Sequence, residues 1–566
     1  MNNGERGGKT SITKASNRVR NLSYDTSEVS AELWTLIASF ASRQSVARLC
    51  AASRTFHSTL SATLYTDVLH PPLTATQSSR LIRTLRTETA IQPHPATFIR
   101  ELGFKDGGMS AIRARDQASS DVFKNLFRLI GSGSPLRVLH WNMDAGLDEL
   151  GQLLGTPEQF PNLRELCVSS NGTNNNFNFV QAKGLDVLQL NITIYSSGNN
   201  LALRLNKLGE AIQMLPTSSP LLDELKLKLQ TPFEGYGSML LPSGVSVDLD
   251  PHAGLSDLVS MINLVHLPAL TTLDISVDLN PADFDEYDGQ DLDFLPDTDF
   301  FPFLASHPTL VHLTLNAKGT DLTTDDTFLP HLRSFKGSFE DAAVICSRQR
   351  QLDTLVVYYG RTHNNPTYFE TVPLSSRLSL TKLQISAVDG SGSAIKAPNE
   401  LSPNSFAQLV SSFPNLTYLD VCLNKPMTAY RKHLAALVKL EYLRLQEYRT
   451  ASTSEDVTRI FPPKDYITEF RHFLPFLPSP RLARIEISLF ADRVRSRSRY
   501  DEYDDSCGSC GSSGEEESCP CCRYGYFLTS DSMVQPSSDM KVDYSFSVTR
   551  RSNGTEVVLN GSRVWW

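Results

Sequence analysis

A cluster of cysteines near the C-terminus has the residue types and the spacing that could hold a metal ion. Five of the nine cysteines lie between positions 507 and 522, and four of them form two C-x-x-C pairs: Cys507, Cys510, Cys519 and Cys522. Thiolates at this spacing can chelate one tetrahedral zinc ion, so the two pairs predict a zinc site. The eight residues between the pairs are all Gly, Ser or Glu, which is a short gap for a zinc ribbon. A cysteine-bearing loop with no cofactor is the alternative, and the sequence leaves both open.

A second segment with possible metal chemistry is acidic. Residues 278–299 contain nine acidic residues and no basic one. A helix–loop–helix calcium site with Gly289 at its sixth position would need Phe284 and Leu295 as ligands, which their side chains cannot be. We therefore expect a solvated acidic insertion. The chain also lacks a glycine-rich phosphate loop, a metalloprotease histidine pair and a Gly-x-Ser-x-Gly elbow, so no pattern indicates an enzyme.

Composition narrows the class of partner. The chain has 53 basic and 62 acidic residues, a formal net charge of −9, which argues against a nucleic-acid-binding surface. It contains no run of 18 apolar residues, so we expect no membrane span. Residues 1–26 have no apolar core and predict a disordered tail without a secretory signal. The scattered cysteines outside the cluster are typical of reduced core thiols, which predicts a cytoplasmic or nuclear protein.

Residues 27–68 predict a compact block of three helices. Apolar residues recur at helical spacing in each helix, with polar breaks expected at 43–45 and 53–54. The apolar positions are Val29, Leu33, Leu36, Ile37 and Phe40 in the first helix, Val46, Leu49 and Cys50 in the second, and Phe56, Leu60, Leu64 and Tyr65 in the third. A block of about 40 residues rarely buries this much apolar surface alone, so we expect it to complete its core against a partner.

The same block resembles the F-box, the docking motif of substrate receptors in Skp–cullin–F-box ubiquitin ligases. Residues 29–33 (VSAEL) stand for the opening of the motif, Ile37 for its isoleucine, and Ser53-Arg54 with Phe56 for its close. Ser30 replaces the usual proline, and Ala41 stands where a larger apolar residue is common. The resemblance implies adaptor contacts by Val29, Leu33, Ile37, Leu49 and Phe56. The alternative is an amphipathic helical cap on the domain that follows.

Residues 69–490 contain a recurrent triplet of the form apolar-x-x-apolar-x-apolar. The last two apolar residues of a triplet would alternate on a short strand and point inward, and stacked strands would form a parallel sheet. Helices are expected between strands, for instance over 256–264, 405–413 and 431–437. The triplets begin at Ile99, Leu136, Leu163, Leu185, Leu222, Leu270, Leu310, Leu352, Leu380, Leu416, Leu440 and Leu482, with a degenerate copy at Leu332-Phe335.

This array resembles a leucine-rich repeat solenoid of the α/β class, with parallel strands on its concave face. The alternative is a set of unrelated strands in another α/β domain. Residues 541–566 alternate apolar and polar side chains around a Ser-Asn-Gly-Thr turn, which predicts a β-hairpin that caps the last repeat. Between the solenoid and the hairpin, residues 491–540 predict a flexible acidic and cysteine-rich insertion.

The two resemblances together imply a non-catalytic subunit of a ubiquitin ligase complex, similar to the divergent fungal F-box proteins with irregular repeats. The implied partners are a Skp-type adaptor with its cullin complex and a target protein held by the repeats. Two alternatives remain open: an F-box scaffold that does not drive degradation, and a repeat interaction protein with no ligase role. The sequence does not identify the target.

Overall fold

The computed structural model describes residues 30–87, 94–105, 123, 125–130, 135–143, 147–155, 160–170, 176–193, 201–230, 253–278, 299–316, 322, 327–346, 351–358, 378–386, 401–423, 427–451, 479–493, 540–551 and 554–565. The expected tail, most of the acidic segment and the four cysteines predicted as zinc ligands lie outside these residues. The domain boundaries drawn from the sequence therefore stay predictions.

Three helices open the described chain: α1 (Ala31–Phe40), α2 (Arg43–Ala52) and α3 (Arg54–Thr66). The Ser30 hydroxyl accepts a hydrogen bond from the Leu33 amide at 3.3 Å and so caps α1. The Ser42 hydroxyl caps α2 in the same way, from the Ser45 amide at 3.2 Å. The break expected at 43–45 is therefore wrong, because capping by Ser42 puts these residues in the first turn of α2.

The strands form one sixteen-stranded sheet in which sequence order and spatial order coincide. Strands β1 to β14 are parallel to their neighbours, as the triplets predict for a stack of repeats. The strands are β1 Asp67–Leu73, β2 Glu101–Lys105, β3 Val138–Asn142, β4 Glu165–Ser170, β5 Val187–Thr193, β6 Glu224–Gln230, β7 Thr272–Asp278, β8 His312–Asn316, β9 Ser334–Ser338, β10 Thr354–Tyr358, β11 Lys382–Ser386, β12 Tyr418–Leu423, β13 Tyr442–Ala451, β14 Arg484–Arg493, β15 Met540–Arg551 and β16 Gly554–Trp565.

Helical segments lie between many of these strands. Those with described bounds are Ala75–Thr87, Leu147–Leu154, Leu201–Gln213, Leu215–Ser218, Ala253–Asn263, Phe301–Ala305, Phe339–Cys346, Pro403–Ser412 and Arg431–Leu434, with 3-10 turns at Pro95–Phe98, Asn178–Gln181 and Met427–Tyr430. The helices expected at 256–264 and 405–413 are present with their first residues two or three positions earlier. Within the described part of the chain, every helix falls short of the length and apolarity that spanning a bilayer requires.

The apolar residues of each triplet form the core between the sheet and the helices. Leu188 on β5, Leu225 on β6 and Leu273 on β7 are register partners, and all three are buried. The first residue of a triplet closes the turn before the strand: the Leu222 amide donates to the Ser219 carbonyl at 3.1 Å. One ladder of apolar side chains therefore runs through successive repeats, and no repeat buries its inner face alone.

The degenerate copy at Leu332-Phe335 is a full member of the stack. It forms β9, and both residues are buried. Gly337 occupies the position where other triplets have their third apolar residue, opposite Val357 of β10. A Cβ atom at Gly337 would lie 2.5 Å from Cζ of Phe335. The Phe335 ring thus fills the space of two side chains, which is why the pattern is incomplete here.

The C-terminal end of the sheet is antiparallel. Strand β15 pairs with β14, and β16 pairs with β15 along its length. Tyr544, Phe546 and Val548 of β15 are buried and continue the apolar core. The hairpin expected over 541–566 is therefore present, and it covers the edge that β14 would otherwise expose.

Candidate functional site: an apolar helix face and the open face of the sheet

Helix α1 presents an apolar face that the rest of the described chain leaves uncovered. Leu33, Leu36, Ile37 and Phe40 have relative exposures between 44% and 86%. Their spacing of three, one and three residues puts them in a single stripe along the helix. Scattered exposed leucines are ordinary on protein surfaces, but four large apolar side chains in one stripe indicate a surface that binds another molecule. We refer to these four residues as the α1 stripe.

The helices α1 to α3 have a very small core of their own. It consists of Ala38, Val46, Cys50 and Leu60, all buried. The aromatic rings of Trp34 and Phe56 close it, packed edge to face with centroids 4.7 Å apart.

The adaptor-contact residues predicted from the sequence fall into two groups in the structure. Leu33 and Ile37 lie in the α1 stripe, whereas Leu49 and Phe56 are partly buried and pack against the small core. Val29 lies outside the described residues. The contact of all five predicted residues with an adaptor stays a prediction. Leu36 and Phe40 complete the exposed stripe; they belong to the helical pattern in the sequence, but the family motif did not single them out.

Helix α3 attaches this block to the sheet. Tyr65 belongs to the main core, and Leu64 packs against both cores. Arg43 of α2 donates a hydrogen bond from its guanidinium to the Leu64 carbonyl at 3.2 Å. Burial lowers the pKa of Arg43, and the nearby Asp67 carboxylate opposes that shift. The contacts of α3 hold the block on the first strand while α1 stays uncovered.

The sheet has a second surface, the open face, formed by the side chains that alternate with the buried ones. Register pairing arranges these side chains in rows that cross the strands. One such row includes His140, Cys167, Gln189, Lys226 and Asp274 on β3 to β7, and continues to Asp420, Arg444 and Glu486 on β12 to β14. Most of the side chains in this row are polar or charged.

Near the C-terminal end of the open face, aromatic and charged side chains form one cluster, which we name the Tyr–Arg platform: Tyr418, Tyr442, Arg444, Arg484 and Glu486. The rings of Tyr418 and Tyr442 stack with centroids 4.6 Å apart and planes 3° from parallel. The Arg484 guanidinium carbon lies 5.8 Å from the Tyr442 ring centroid. The Tyr442 hydroxyl donates to the Glu486 carboxylate, which also pairs with Arg484.

The platform is fixed in place by its neighbours. The buried Asp420 carboxylate accepts a hydrogen bond from the Gln446 amide at 2.8 Å and lies 3.6 Å from the Arg444 guanidinium. Arg444 also donates to the Ser488 hydroxyl, at 3.2 and 3.3 Å. Burial is the main cause that raises the pKa of both tyrosines, followed for Tyr442 by its bond to Glu486, so both stay neutral near pH 7. Rigid aromatic rings beside arginine are the composition that protein interfaces favour.

At the other end of the open face, three residues with different ligand atoms meet on β3 and β4. Nε2 of His140 lies 3.2 Å from Oε1 of Glu165, and Sγ of Cys167 donates to that oxygen at 3.6 Å. The bond to His140 lowers the pKa of Glu165, whereas burial, and then Glu165, raise the pKa of Cys167 to about 12. The sequence reasoning missed this cluster. Its signal was present, because His140 and Cys167 both stand between the last two apolar residues of their triplets and so become neighbours when the triplets are aligned.

Comparisons with known proteins add little to this description. A scan of protein-family models finds no match to the sequence, and a search of curated proteins finds none either. Among solved structures, a chain from the crystal structure of the Rad7 and Elc1 complex in yeast is similar over 74% of this chain and 94% of its own length, with 14% sequence identity and a TM-score of 0.29. A likeness at that TM-score carries no argument, so the functional conclusion rests on the chain's own residues.

Proposed function

We propose that this chain is a non-catalytic adaptor of a ubiquitin ligase. In this proposal the α1 stripe docks on a Skp-type adaptor, and through it on a cullin complex, while the open face of the sheet holds a target protein. The protein works in the cytoplasm or the nucleus. It makes no bond itself; it raises the effective concentration of a target lysine near a charged thioester.

The observation that carries the proposal is the exposed α1 stripe on a block with a minimal core. Fully burying one Leu, Ile or Phe side chain stabilises a complex by roughly 1.5–3 kcal/mol, so even partial burial of four such residues favours association strongly. The stripe lies within the segment whose sequence resembles the F-box. A mere cap on the repeats would direct its apolar face toward the sheet, as α3 does with Tyr65.

Binding to the adaptor can be tested by introducing charges into the stripe. We expect wild-type chain to co-purify with a Skp-type adaptor and the double variant Leu33→Asp, Ile37→Asp to lose the complex, because a charge in a dry interface costs several kcal/mol. Leu264→Asp is the matched control, since Leu264 is also exposed, at 79%, but lies far along the repeats. Circular dichroism checks that all variants fold.

Absence of binding by wild-type chain, or equal loss with Leu264→Asp, contradicts the docking proposal. In that case the three helices are only a cap, and the chain is a repeat interaction protein.

The Tyr–Arg platform supports the second half of the proposal, the binding of a target. Tyr442→Ala with Arg484→Ala should weaken the capture of a bound target and leave the adaptor complex intact, because the platform lies on β12 to β14 whereas the three-helix block precedes β1. A reconstituted ubiquitylation assay on the captured protein then separates a receptor from a scaffold. Modification that requires both surfaces supports a receptor, and capture without modification supports a scaffold.

A further inference from the structure

The cluster on β3 and β4 combines three groups that transition metals accept as ligands. His140 and Cys167 are register partners on adjacent parallel strands, and Glu165 precedes Cys167 by two residues, so all three project from the same face of the sheet. The side chains of His140 and Glu165 are 31% and 32% exposed. One imidazole nitrogen, one carboxylate oxygen and one thiol sulfur therefore converge at a place that solvent reaches.

The spacing of the three atoms is close to that of a metal site. In a tetrahedral zinc site, with bonds of about 2.0–2.1 Å to nitrogen or oxygen and about 2.3 Å to sulfur, ligand atoms stand roughly 3.3–3.6 Å apart. The two contacts of Glu165 Oε1, at 3.2 Å to His140 and 3.6 Å to Cys167, fall near these values. All three atoms lie within 4.8 Å of one another, so the distance from nitrogen to sulfur is also at most 4.8 Å.

We propose that His140, Glu165 and Cys167 form a binding site for one zinc-class divalent ion on the open face of the sheet. A mixed nitrogen, oxygen and sulfur set favours zinc over the hard ions calcium and magnesium, which take oxygen ligands. The three residues leave the fourth position of a tetrahedron open to solvent, where water completes it. The site uses none of the paired cysteines near the C-terminus and does not depend on the adaptor function.

Binding has a defined proton balance. The Cys167 thiol loses its proton to solvent when the sulfur bonds to the metal. The Nε2 proton that His140 donates to the Glu165 carboxylate must also leave that nitrogen, and the neutral imidazole then binds through Nε2 with its one proton on Nδ1. The hydrogen bonds of both residues to Glu165 are thereby replaced by bonds to the ion.

Lys226 on β6 opposes a cation in this region, since its positive charge also lowers the pKa of Glu165. Lys226 forms an ion pair with Glu224 at 2.5 Å, so a negative charge lies beside it.

The test uses the full chain with Cys507, Cys510, Cys519, Cys521 and Cys522 all changed to Ser, so that the C-terminal cysteines cannot bind the metal. Native mass spectrometry should find one zinc ion per chain. Cobalt in place of zinc should give the near-ultraviolet charge-transfer absorption of a cobalt–thiolate bond. In that background, Cys167→Ser and His140→Ala should each weaken zinc binding by at least about 100-fold, and Cys167→Ser should also remove the cobalt–thiolate absorption.

His312→Ala is the matched control, because His312 lies exposed on the same face of β8, away from the cluster. It should leave the zinc affinity unchanged. Glu165→Gln, which keeps the size of the side chain and removes its charge, should also weaken binding, so the proposal stays testable if another variant fails to fold. A background chain that holds no zinc when zinc is supplied at micromolar concentration overturns the proposal. So does an affinity that Cys167→Ser and His140→Ala leave unchanged.

Discussion

The three-helix block and the repeat body treat their apolar side chains differently. In the block, four residues form the whole core, and the four side chains of the α1 stripe stay exposed. In the repeat body, each of the strands β1 to β14 adds buried residues to one continuous core, and the exposed side chains of its open face are mostly polar. The strands bury their inner side chains within the chain, whereas the described residues leave the α1 stripe uncovered. A binding surface made of unburied apolar residues is therefore expected on the block, and one made of polar and aromatic residues on the sheet.

The largest expected difference between the two regions concerns leucine truncation. Leu443 of β13 is fully buried, so Leu443→Ala should lower the free energy of unfolding by about 2–5 kcal/mol. Leu36 in the α1 stripe is 55% exposed, and Leu36→Ala should change the free energy of unfolding by less than about 0.5 kcal/mol. Chemical denaturation of both variants checks the comparison. Similar losses would show that the stripe is packed within the chain and is not a docking surface.

A second prediction concerns how closely neighbouring repeats pack. Helices Leu201–Gln213 and Ala253–Asn263 touch at two glycines: a Cβ atom at Gly254 would lie 2.6 Å from the Ala202 Cα atom, and one at Gly209 would lie 2.4 Å from the Met261 sulfur. Backbone cannot give way as a flexible methionine can. We therefore expect Gly254→Ala to lower the free energy of unfolding by about 1–3 kcal/mol and Gly209→Ala to lower it by less.

Met261→Ala should rescue Gly209→Ala in denaturation experiments, and no substitution of the Ala202 side chain should fully rescue Gly254→Ala. A larger loss for Gly209→Ala than for Gly254→Ala would contradict this view of the interface.

The third prediction is a pH dependence specific to the repeat body. The buried His307 accepts a hydrogen bond at Nε2 from the Leu267 amide at 2.9 Å, and its Nδ1 donates to the Phe303 carbonyl at 2.6 Å. These bonds require the neutral ring, and burial lowers the pKa of His307. Its stabilising contribution is therefore complete above an unfolded-state pKa of about 6.5 and decreases as the pH falls from there toward the folded-state pKa.

His307→Leu should lower the free energy of unfolding by about 1–3 kcal/mol at pH 7.5, because the two backbone groups lose their hydrogen-bond partner. The variant should also lose the decrease in stability at acid pH. Denaturation at a series of pH values measures both effects. His266→Leu is the control, since His266 is exposed beside it and its replacement should preserve most of the dependence. If the stability of His307→Leu depends on acid pH as that of the wild type does, another titratable group causes the dependence.

The smallest expected effect is confined to the block. Ser30→Ala removes the cap of α1 and should destabilise that helix by about 1 kcal/mol. Hydrogen exchange of the α1 amides should accelerate, while amides of the repeat strands should keep their rates. Ser39→Ala is the matched control, since Ser39 is exposed on the same helix and is not a cap. Equal acceleration in both variants would refute a capping role for Ser30.

Much of the repeat body could be predicted from the sequence, because most strands have a local apolar–polar pattern that can be recognised without the rest of the chain. Leu225 and Leu227 alternate with polar residues, which predicted the strand and its buried face, and the recurrence of the triplet predicted the parallel stacking. The degenerate copy was the exception, since the compensation between Phe335 and Gly337 takes place across space. The boundary between α1 and α2 was misplaced because capping by Ser42 depends on backbone geometry that residue types only suggest.

The candidate surfaces divide in the same way. The apolar stripe follows from helical periodicity, so the sequence alone contained Leu33, Leu36, Ile37 and Phe40 as one face. It could not show that this face is uncovered while Leu49 and Phe56 turn inward, because burial depends on how the three helices pack.

The sequence by itself therefore determined where the strand-forming triplets lie along the chain and that the first helices are amphipathic. Both follow from local periodicity. Only the tertiary structure decided which distant residues meet. His140 and Glu165 are 25 positions apart, and Tyr442 and Glu486 are 44 apart, yet each pair is in hydrogen-bonding contact. The physical reason is the strand register: irregular loop lengths hide the alignment of the repeats in the sequence, and backbone pairing restores it in the sheet.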